Sequence, residues 1–274
     1  MKVANTIPKS GWLPLVSCKT NRLLTPKVAR NFDRLPSTNA AMLRAIEHGE
    51  ELPAGSVYIT RDQTDGRGQG SNLWHSSPGA NLTFSLLLRP DHLSVDRIFV
   101  LTQVASLAVC DAVGDSLTGA EIRIKWPNDV YVGDRKLAGI LIQNGLRGQR
   151  VTWSVIGTGL NVNEATFPPE LQASATSLLL QTGVRLRCGD VLEQYLHHVT
   201  RWYERLEEGS YAAIHRAYQE RLYRRGESVT FLELDADRRF VATVRGTDAM
   251  GRLQLTHVDG TAHAYELRSL RWLL

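Results

Sequence analysis

The chain has 274 residues, of which 43% are hydrophobic and 22% are charged, and its formal net charge is +4. The length predicts one large and one small domain, and the composition is that of a globular protein with a packed core. The basic residues form no run of the kind that nucleic-acid binders carry, and Cys18, Cys110 and Cys188 lie too far apart to indicate a disulfide framework or a zinc site.

Targeting and membrane signals are the next features that the sequence can reveal. The N-terminus has no charged head followed by an apolar core, so no signal peptide is predicted. No apolar run approaches the ~18–20 residues of a membrane span. We therefore expect a cytoplasmic protein that does not associate with membranes.

The first third of the chain combines one short helix with strands that flank a polar loop. Residues 1–34 carry three prolines and little periodicity, so we expect an irregular lead-in. Ser37, Thr38 and Asn39 have the residue types that cap a helix, which should end at Gly49. Strands are predicted over residues 56–61 and 82–89, on either side of a loop rich in Gly, Asn, Asp and Ser.

The rest of the chain predicts an α+β domain over residues 35–225, followed by a small all-β module over residues 226–274. Strands in succession after a long helix favour this arrangement over a regular βαβ array, and the terminal module is barrel-like if its strands close. The predicted helices cover residues 95–117, 190–208 and 211–224, and the predicted strands cover residues 122–126, 130–132, 136–143 and 151–156.

A glycine-rich loop, Gly66-Arg67-Gly68-Gln69-Gly70, lies between two of the predicted strands. Glycine lets backbone N–H groups approach an anion closely, and an arginine can hold a carboxylate or phosphate with a fork of donors. The loop matches neither a Walker phosphate loop nor a dinucleotide-binding fingerprint. Taken alone, it is more typical of a flexible surface loop than of a ligand site.

Three further motifs place charge or glycine at strand ends. The stretch KWPND, residues 125–129, offers Lys and Asp for phosphate or metal, but it also fits a β-turn with a packed Trp. Lys136 is at the start of an apolar strand. It could hold its charge above a pocket, or it could be an edge residue whose aliphatic part lies on apolar surface while the charge stays in water. The glycines of GTGLN, residues 157–161, allow a ligand to approach the backbone. With no catalytic triad arguable, the residues alone predict a pocket for an anionic ligand.

In this order, the motifs resemble those of biotin–protein ligases, also called biotin–[acetyl-CoA-carboxylase] ligases. The resemblance implies a catalytic domain related in fold to class II aminoacyl-tRNA synthetases and a C-terminal SH3-like β-barrel. KWPND together with RKLAGIL is the most specific pair. The matching stretches are residues 36–39 (PSTN), 66–74 (GRGQGSNLW), 79–90 (GANLTFSLLLRP), 125–143, 155–163 and 174–178, together with the terminal β module.

The resemblance also implies a reaction in two steps. The biotin carboxylate attacks the α-phosphate of ATP and gives biotinyl-5′-adenylate and pyrophosphate, with Mg²⁺ bound to the substrate phosphates. The ε-amine of a lysine in a biotin carboxyl carrier domain then attacks the mixed anhydride, and AMP leaves. The expected partners are therefore biotin, ATP and the carrier domain of a carboxylase, and a homodimer stays open.

Site residues follow from the same resemblance, position by position. Arg67, Lys136 and Asp129 would be catalytic, and Asp129 would either hold the metal or orient the incoming amine. The biotin-binding residues would be Ser37, Thr38, Asn39, Gln63, Gly66, Arg67, Gly68, Gln69, Lys136, Gly139 and Gly157. The nucleotide-binding residues would be Trp74, which would stack on adenine, and Lys125, Asn128, Asp129 and Asn161.

Two departures from the family pattern have consequences. Many relatives read GRGRRG where this chain has Gln69 and Gly70, so its loop carries less positive charge and should release the adenylate faster. A DNA-binding domain ahead of the catalytic domain is not evident, so nucleic-acid binding is not expected.

Three alternatives stay open at this point. A lipoate or octanoate ligase shares the fold and the transfer of an acyl group to lysine. A non-catalytic module that docks an acidic partner predicts no ATP turnover. Binding of nucleic acid through the terminal barrel predicts a steep salt dependence.

Overall fold

The computed structural model describes residues 24–68, 70 and 73–273, so the predictions for residues 1–23, for Cys18 and for Gln69 lie outside the described residues. The helices are α1 (Thr38–Glu47), α2 (Phe99–Gly114), α3 (Leu178–Thr182), α4 (Cys188–Glu207) and α5 (Tyr211–Glu220), with a 3₁₀ turn at Val95–Arg97. The strands are β1 (Lys27–Leu35), β2 (Ser56–Gln63), β3 (Leu82–Leu88), β4 (Ile122–Lys125), β5 (Asp129–Val132), β6 (Arg135–Arg147), β7 (Arg150–Leu160), β8 (Ser228–Glu233), β9 (Arg238–Thr247), β10 (Leu253–His257), β11 (Ala262–Tyr265) and β12 (Leu270–Leu273).

A seven-stranded mixed sheet forms the larger domain, in the order β1-β2-β3-β7-β6-β5-β4. β1 and β2 pair in parallel, and the other neighbours are antiparallel. Helix α1 packs on one face against Tyr58, Leu87 and Val155, while α2 and α4 cover the other face. Because both faces are covered, every residue of β3 is buried and its burial does not alternate. The predicted α+β class is confirmed.

Helix α2 is the central helix of the core. Together with the 3₁₀ turn before it, the segment Val95–Gly114 is long and apolar enough to cross a membrane, contrary to the expectation that the chain holds no such stretch. However, 72% of that stretch is buried inside the protein. The sheet, α4 and α5 surround it, and a helix buried on all sides is apolar all round.

The expected irregular lead-in of residues 1–34 is wrong in its last part, because residues 27–34 belong to β1. Backbone pairing with β2 holds this edge strand, and most of its side chains are exposed. An exposed edge strand needs no alternating apolar pattern, and residues 27–34 therefore show no periodicity that would predict a strand.

The module after Gly226 is a five-stranded antiparallel sheet in the order β11-β10-β9-β8-β12. It fits the predicted SH3-like domain, and this order leaves β11 and β12 at the two edges. Phe231, Val244 and Leu255 form its buried centre. Helix α5 attaches the module to the larger domain, since the Gln219 side chain donates to the Thr247 carbonyl over 2.7 Å and accepts from the Thr247 N–H over 3.2 Å.

Candidate functional site

A pocket opens where the N-terminus of α1 meets the middle of the sheet and the glycine-rich loop. Its empty space, including the part open to solvent, is about 560 Å³, and pockets for small ligands span roughly 300–1,000 Å³. Most of the residues predicted from separate motifs come together here. The lining residues are Ser37, Thr38, Asn39, Gln63, Arg67, Gly68, Leu73, Trp74, Thr83, Phe84, Asp129, Lys136, Gly139, Ile140, Leu141, Gly157, Thr158 and Gly159.

The first wall of the pocket is a buried polar network at the start of α1. Ser37 caps the helix, and its hydroxyl accepts from the Ala40 N–H. The Thr38 N–H donates to Gln63 Oε1 over 2.9 Å. The Asn39 amide donates to the Leu141 carbonyl over 3.2 Å. Helix capping and hydrogen bonds between α1 and the sheet thus fix three polar side chains before any ligand is present.

Ser85 completes this network, and the sequence reading missed it. Its hydroxyl lies 2.6 Å from Asn39 Oδ1 and 2.8 Å from Thr38 Oγ1, and the side chain is fully buried. A signal was present, because Ser85 is a polar residue in the middle of the apolar run LTFSLLL. Buried polar groups need partners, so an isolated serine in such a strand indicates a polar contact inside the protein.

A second side of the pocket, the glycine floor, is formed by glycines on the central strands β6 and β7. A Cβ at Gly157 would collide with the Asn39 side chain, and one at Gly159 would collide with the Trp74 ring. A Cβ at Gly139 would come within 3.2 Å of both Lys136 and Trp74. Only glycine leaves room here for other side chains, or for a ligand, to lie directly on the strand backbone.

Trp74 covers part of this floor from the end of the glycine-rich loop. The backbone N–H of Trp74 donates to the Gly66 carbonyl over 2.8 Å and so joins the two ends of the glycine-rich loop. Its ring nitrogen is buried and has no hydrogen-bond partner among the described residues. An indole N–H without a partner is costly when buried, so the ring gains from any rearrangement that gives the nitrogen an acceptor.

Two cations reach the pocket, and each is paired with a carboxylate. Lys136 Nζ lies 2.8 Å from Asp129 Oδ2. Arg67 contacts Asp65 over 3.0 Å but is 69% exposed, and such exposed pairs contribute only about 0–1 kcal/mol. The Arg67 side chain can therefore leave Asp65 at little cost when an anion enters.

Three predicted nucleotide residues do not line the pocket in this structure. Lys125 lies 3.3 Å from the Tyr131 hydroxyl and beside Trp272, and burial lowers its pKa to about 8. Asn128 donates to the Ile140 carbonyl, and Asn161 donates to the Thr176 carbonyl over 2.9 Å. Gly66 adjoins the pocket through the loop and is likewise not among the lining residues.

The pocket offers little for a metal ion by itself. In the described part of the chain no group of three or more His, Cys, Asp or Glu side chains could hold one, and Asp129 is the single carboxylate among the lining residues. Mg²⁺ commonly binds through one or two carboxylates plus substrate phosphates and water. With Asp129 alone, the pocket would hold such an ion only together with phosphate and water oxygens.

Comparison with protein families finds a match between residues 31–161 and the biotin/lipoate A/B protein ligase family. The biotin–[acetyl-CoA-carboxylase] ligase of Paracoccus denitrificans is 31% identical over 200 residues, which are 72% of this chain and 81% of that protein. The bifunctional ligase/repressor BirA of Bacillus subtilis is 36% identical over 146 residues, which are 53% of this chain and 44% of that protein. The chain thus spans less than half the length of the Bacillus relative.

A solved structure with the same fold comes from Aquifex aeolicus. It is a biotin protein ligase in complex with biotin and ATP, with a TM-score of 0.73 and 24% sequence identity. The superposition covers 89% of this chain and 97% of that one. Both sheets of the present structure are therefore part of a known arrangement.

Proposed function

The chain belongs to the biotin/lipoate A/B protein ligase family, in which its curated relatives are biotin–protein ligases, and we propose that it is itself a biotin–protein ligase. It activates biotin with ATP to biotinyl-5′-AMP and transfers biotin to a lysine of a carboxylase carrier domain. The observation that carries this proposal is the pocket itself. A polar network, a glycine floor and the Lys136–Asp129 pair, drawn from motifs far apart in sequence, converge on one cavity.

The first step brings two anions together, and the cations of the pocket reduce the repulsion between them. The biotin carboxylate oxygen forms a bond to the α-phosphorus, and the bond to the β-phosphate oxygen breaks as pyrophosphate leaves. Lys136 and Arg67 neutralise the carboxylate and the charge that develops on the phosphoryl oxygens. Each such contact contributes about 2–4 kcal/mol of transition-state stabilisation.

Recognition of biotin falls to the polar network beside α1. Ser37, Thr38, Asn39 and Gln63 supply hydroxyl and amide groups that can hydrogen-bond the ureido ring. The backbone of Gly139 and Gly157 leaves space for the apolar part of the ligand. Since the network is already hydrogen-bonded within the protein, little ordering is left to be done on binding.

Nucleotide binding involves the other end of the pocket. Trp74 provides a flat ring for adenine. Lys125 is the last residue of β4, Asn128 lies in the turn that follows, and Asn161 comes directly after β7. Mg²⁺, when bound with ATP, would neutralise phosphate charge, and Asp129 is the pocket carboxylate that fits it.

In the second step the lysine amine attacks the carbonyl carbon of the mixed anhydride, and AMP leaves with the bonding electrons. The lysine ammonium gives its proton to solvent as it attacks, and Asp129 is the pocket carboxylate that would orient the amine. The carrier domain, a cytoplasmic location and the absence of nucleic-acid binding stay predictions, and a homodimer stays open.

The test is biotin-dependent exchange of labelled pyrophosphate into ATP. We expect exchange by the wild type and a loss of about 100-fold or more in Lys136→Ala, because a preorganised charge at the reacting atoms is removed. Lys27→Ala, which removes an exposed lysine of β1, is the matched control. Exchange that needs lipoate and not biotin would assign a lipoate ligase. If the folded protein shows no exchange with either biotin or lipoate, the alternative of a non-catalytic binding module is favoured.

A further inference from the structure

The turn between β4 and β5 consists of Trp126, Pro127 and Asn128, and each of the three is anchored by a hydrogen bond to a different element. The Trp126 ring nitrogen donates to the Gly251 carbonyl over 2.7 Å. The Tyr218 hydroxyl of α5 donates to the Pro127 carbonyl over 2.8 Å. The Asn128 amide donates to the Ile140 carbonyl of β6. This short turn is therefore held by contacts from outside the hairpin that contains it.

The β4–β5 hairpin is too short to hold this turn in place by itself. β4 and β5 are four residues each, and β4 is the edge strand of the sheet. Two short strands form a stable pair only when other parts of the protein support them. The free side of β4 is supported by the linker to the terminal module, because the Ile124 N–H donates to the Arg221 carbonyl over 2.7 Å.

The contact from the terminal sheet is specific in its geometry. Gly251 lies in the turn between β9 and β10 with a φ of +89°, and a Cβ there would collide with the Phe99 ring of α2. A glycine is thus required for this turn to approach the larger domain closely. Trp126 is 4% exposed, so its ring N–H is shielded from bulk solvent and depends on the Gly251 carbonyl as acceptor.

Asp129 follows this turn directly, pairs in register with Lys125 and holds Lys136 through its carboxylate. From these contacts, and on the basis of the proposed ligase function, we propose that the C-terminal sheet positions Asp129 through the hydrogen bond from Trp126 to Gly251. Trp126 is then a positioning residue for adenylation that never touches the substrates, and the terminal module is a part of the active-site support.

The test compares three variants in the pyrophosphate exchange assay. Trp126→Phe keeps most of the ring and removes the donor, and Tyr218→Phe removes only the hydroxyl that holds Pro127. Trp202→Phe is the matched control, because Trp202 is also a buried indole whose N–H donates, over 2.7 Å, to Asp111 on α2, away from the pocket. Thermal unfolding of all three shows how much each change destabilises the fold.

We expect Trp126→Phe and Tyr218→Phe to lower kcat by about 10-fold to 100-fold, since small displacements of reacting groups cost rates of this order. The KM for biotin should change by less than about twofold, because the polar network beside α1 is untouched. Trp202→Phe should keep the wild-type kcat at a comparable loss of thermal stability.

A folded Trp126→Phe protein with wild-type kcat overturns the proposal. So does a loss of kcat in Trp202→Phe as large as in Trp126→Phe, because the effect would then follow stability alone. If the wild type shows no biotin-dependent exchange, the ligase function fails and this inference fails with it. If the wild type shows exchange and Trp126→Phe has the same kcat, the positioning role of Trp126 is rejected while the ligase function stands.

Discussion

Lys136 Nζ lies 2.8 Å from the Asp129 carboxylate, and each side chain keeps 32% of its surface exposed. An anion that enters the pocket competes with Asp129 for this lysine. Under the proposed function, Lys136 would turn to the anion and leave the Asp129 carboxylate to a cation, either magnesium with its phosphates or the ammonium of an incoming lysine. The pair would thus supply both charges that a two-step acyl transfer requires, while neither charge is left unpaired before the substrates arrive.

The first prediction concerns Ser85, which joins Thr38 and Asn39 beneath the pocket. Ser85→Ala should lower the free energy of unfolding by about 1–3 kcal/mol, because a buried acceptor loses its donor. It should also raise the KM for biotin, since Asn39 Oδ1 loses the donor that helps to orient the side chain. Chemical denaturation and exchange kinetics measure the two effects.

Ser106→Ala provides the control for this substitution. Ser106 is equally buried, and its hydroxyl has no partner among the described residues. Removing that hydroxyl should leave both stability and the KM for biotin close to wild type. Equal effects of the two substitutions would mean that the network around Ser85 contributes nothing specific.

The glycine floor gives a second prediction. Gly157→Ala places a methyl group against the Asn39 side chain, so this side chain must leave its position in the network. Displacing polar groups that hold a ligand costs about 1–3 kcal/mol, and the affinity for biotin should fall about 10-fold or more. Isothermal titration with biotin alone measures this. Gly114→Ala, at the end of α2 with no atom within 4 Å of the new methyl group, should bind as the wild type does.

Most of the individual elements could be predicted from sequence, whereas the contacts between them could not. The capping by Ser37 is a local interaction, and the motifs of residues 66–74 and 125–129 mark their positions directly. The bond from Trp126 to Gly251 joins residues 125 positions apart, and no local pattern reports such a partner. β1 was missed for a related reason, because most of its side chains are exposed and its pairing with β2 depends on no periodic apolar pattern.

The third prediction follows from the buried position of Lys125. Burial lowers its pKa to about 8 from 10.5. Below about pH 8 the lysine is protonated in both states and its buried charge lowers stability. Between about pH 8 and 10.5 the folded state releases its proton before the unfolded state does, so the free energy of unfolding rises with pH.

Lys125→Met removes this titration. The variant should exceed the wild type in stability most clearly near pH 7, and the difference should shrink as the pH approaches about 10. Urea denaturation across this range measures it. Lys27→Met removes the same charge from an exposed position of β1 and controls for net charge. A difference between Lys125→Met and wild type that does not vary with pH contradicts the prediction.

The last prediction concerns the loop charge, where Gln69 and Gly70 stand in place of two arginines of many relatives. Each arginine near a phosphate adds a charge-assisted hydrogen bond, and such bonds are worth about 1.5–3 kcal/mol. Gln69→Arg should therefore slow the dissociation of biotinyl-5′-AMP by about 10-fold or more, as measured by displacement of bound adenylate with excess biotin and ATP. Gln69→Met, similar in length but uncharged, separates the effect of charge from that of size. Equal dissociation rates for Gln69→Arg and wild type would show that the loop charge does not limit release. A fast release in the wild type would mean that the adenylate must meet its acceptor soon after it forms.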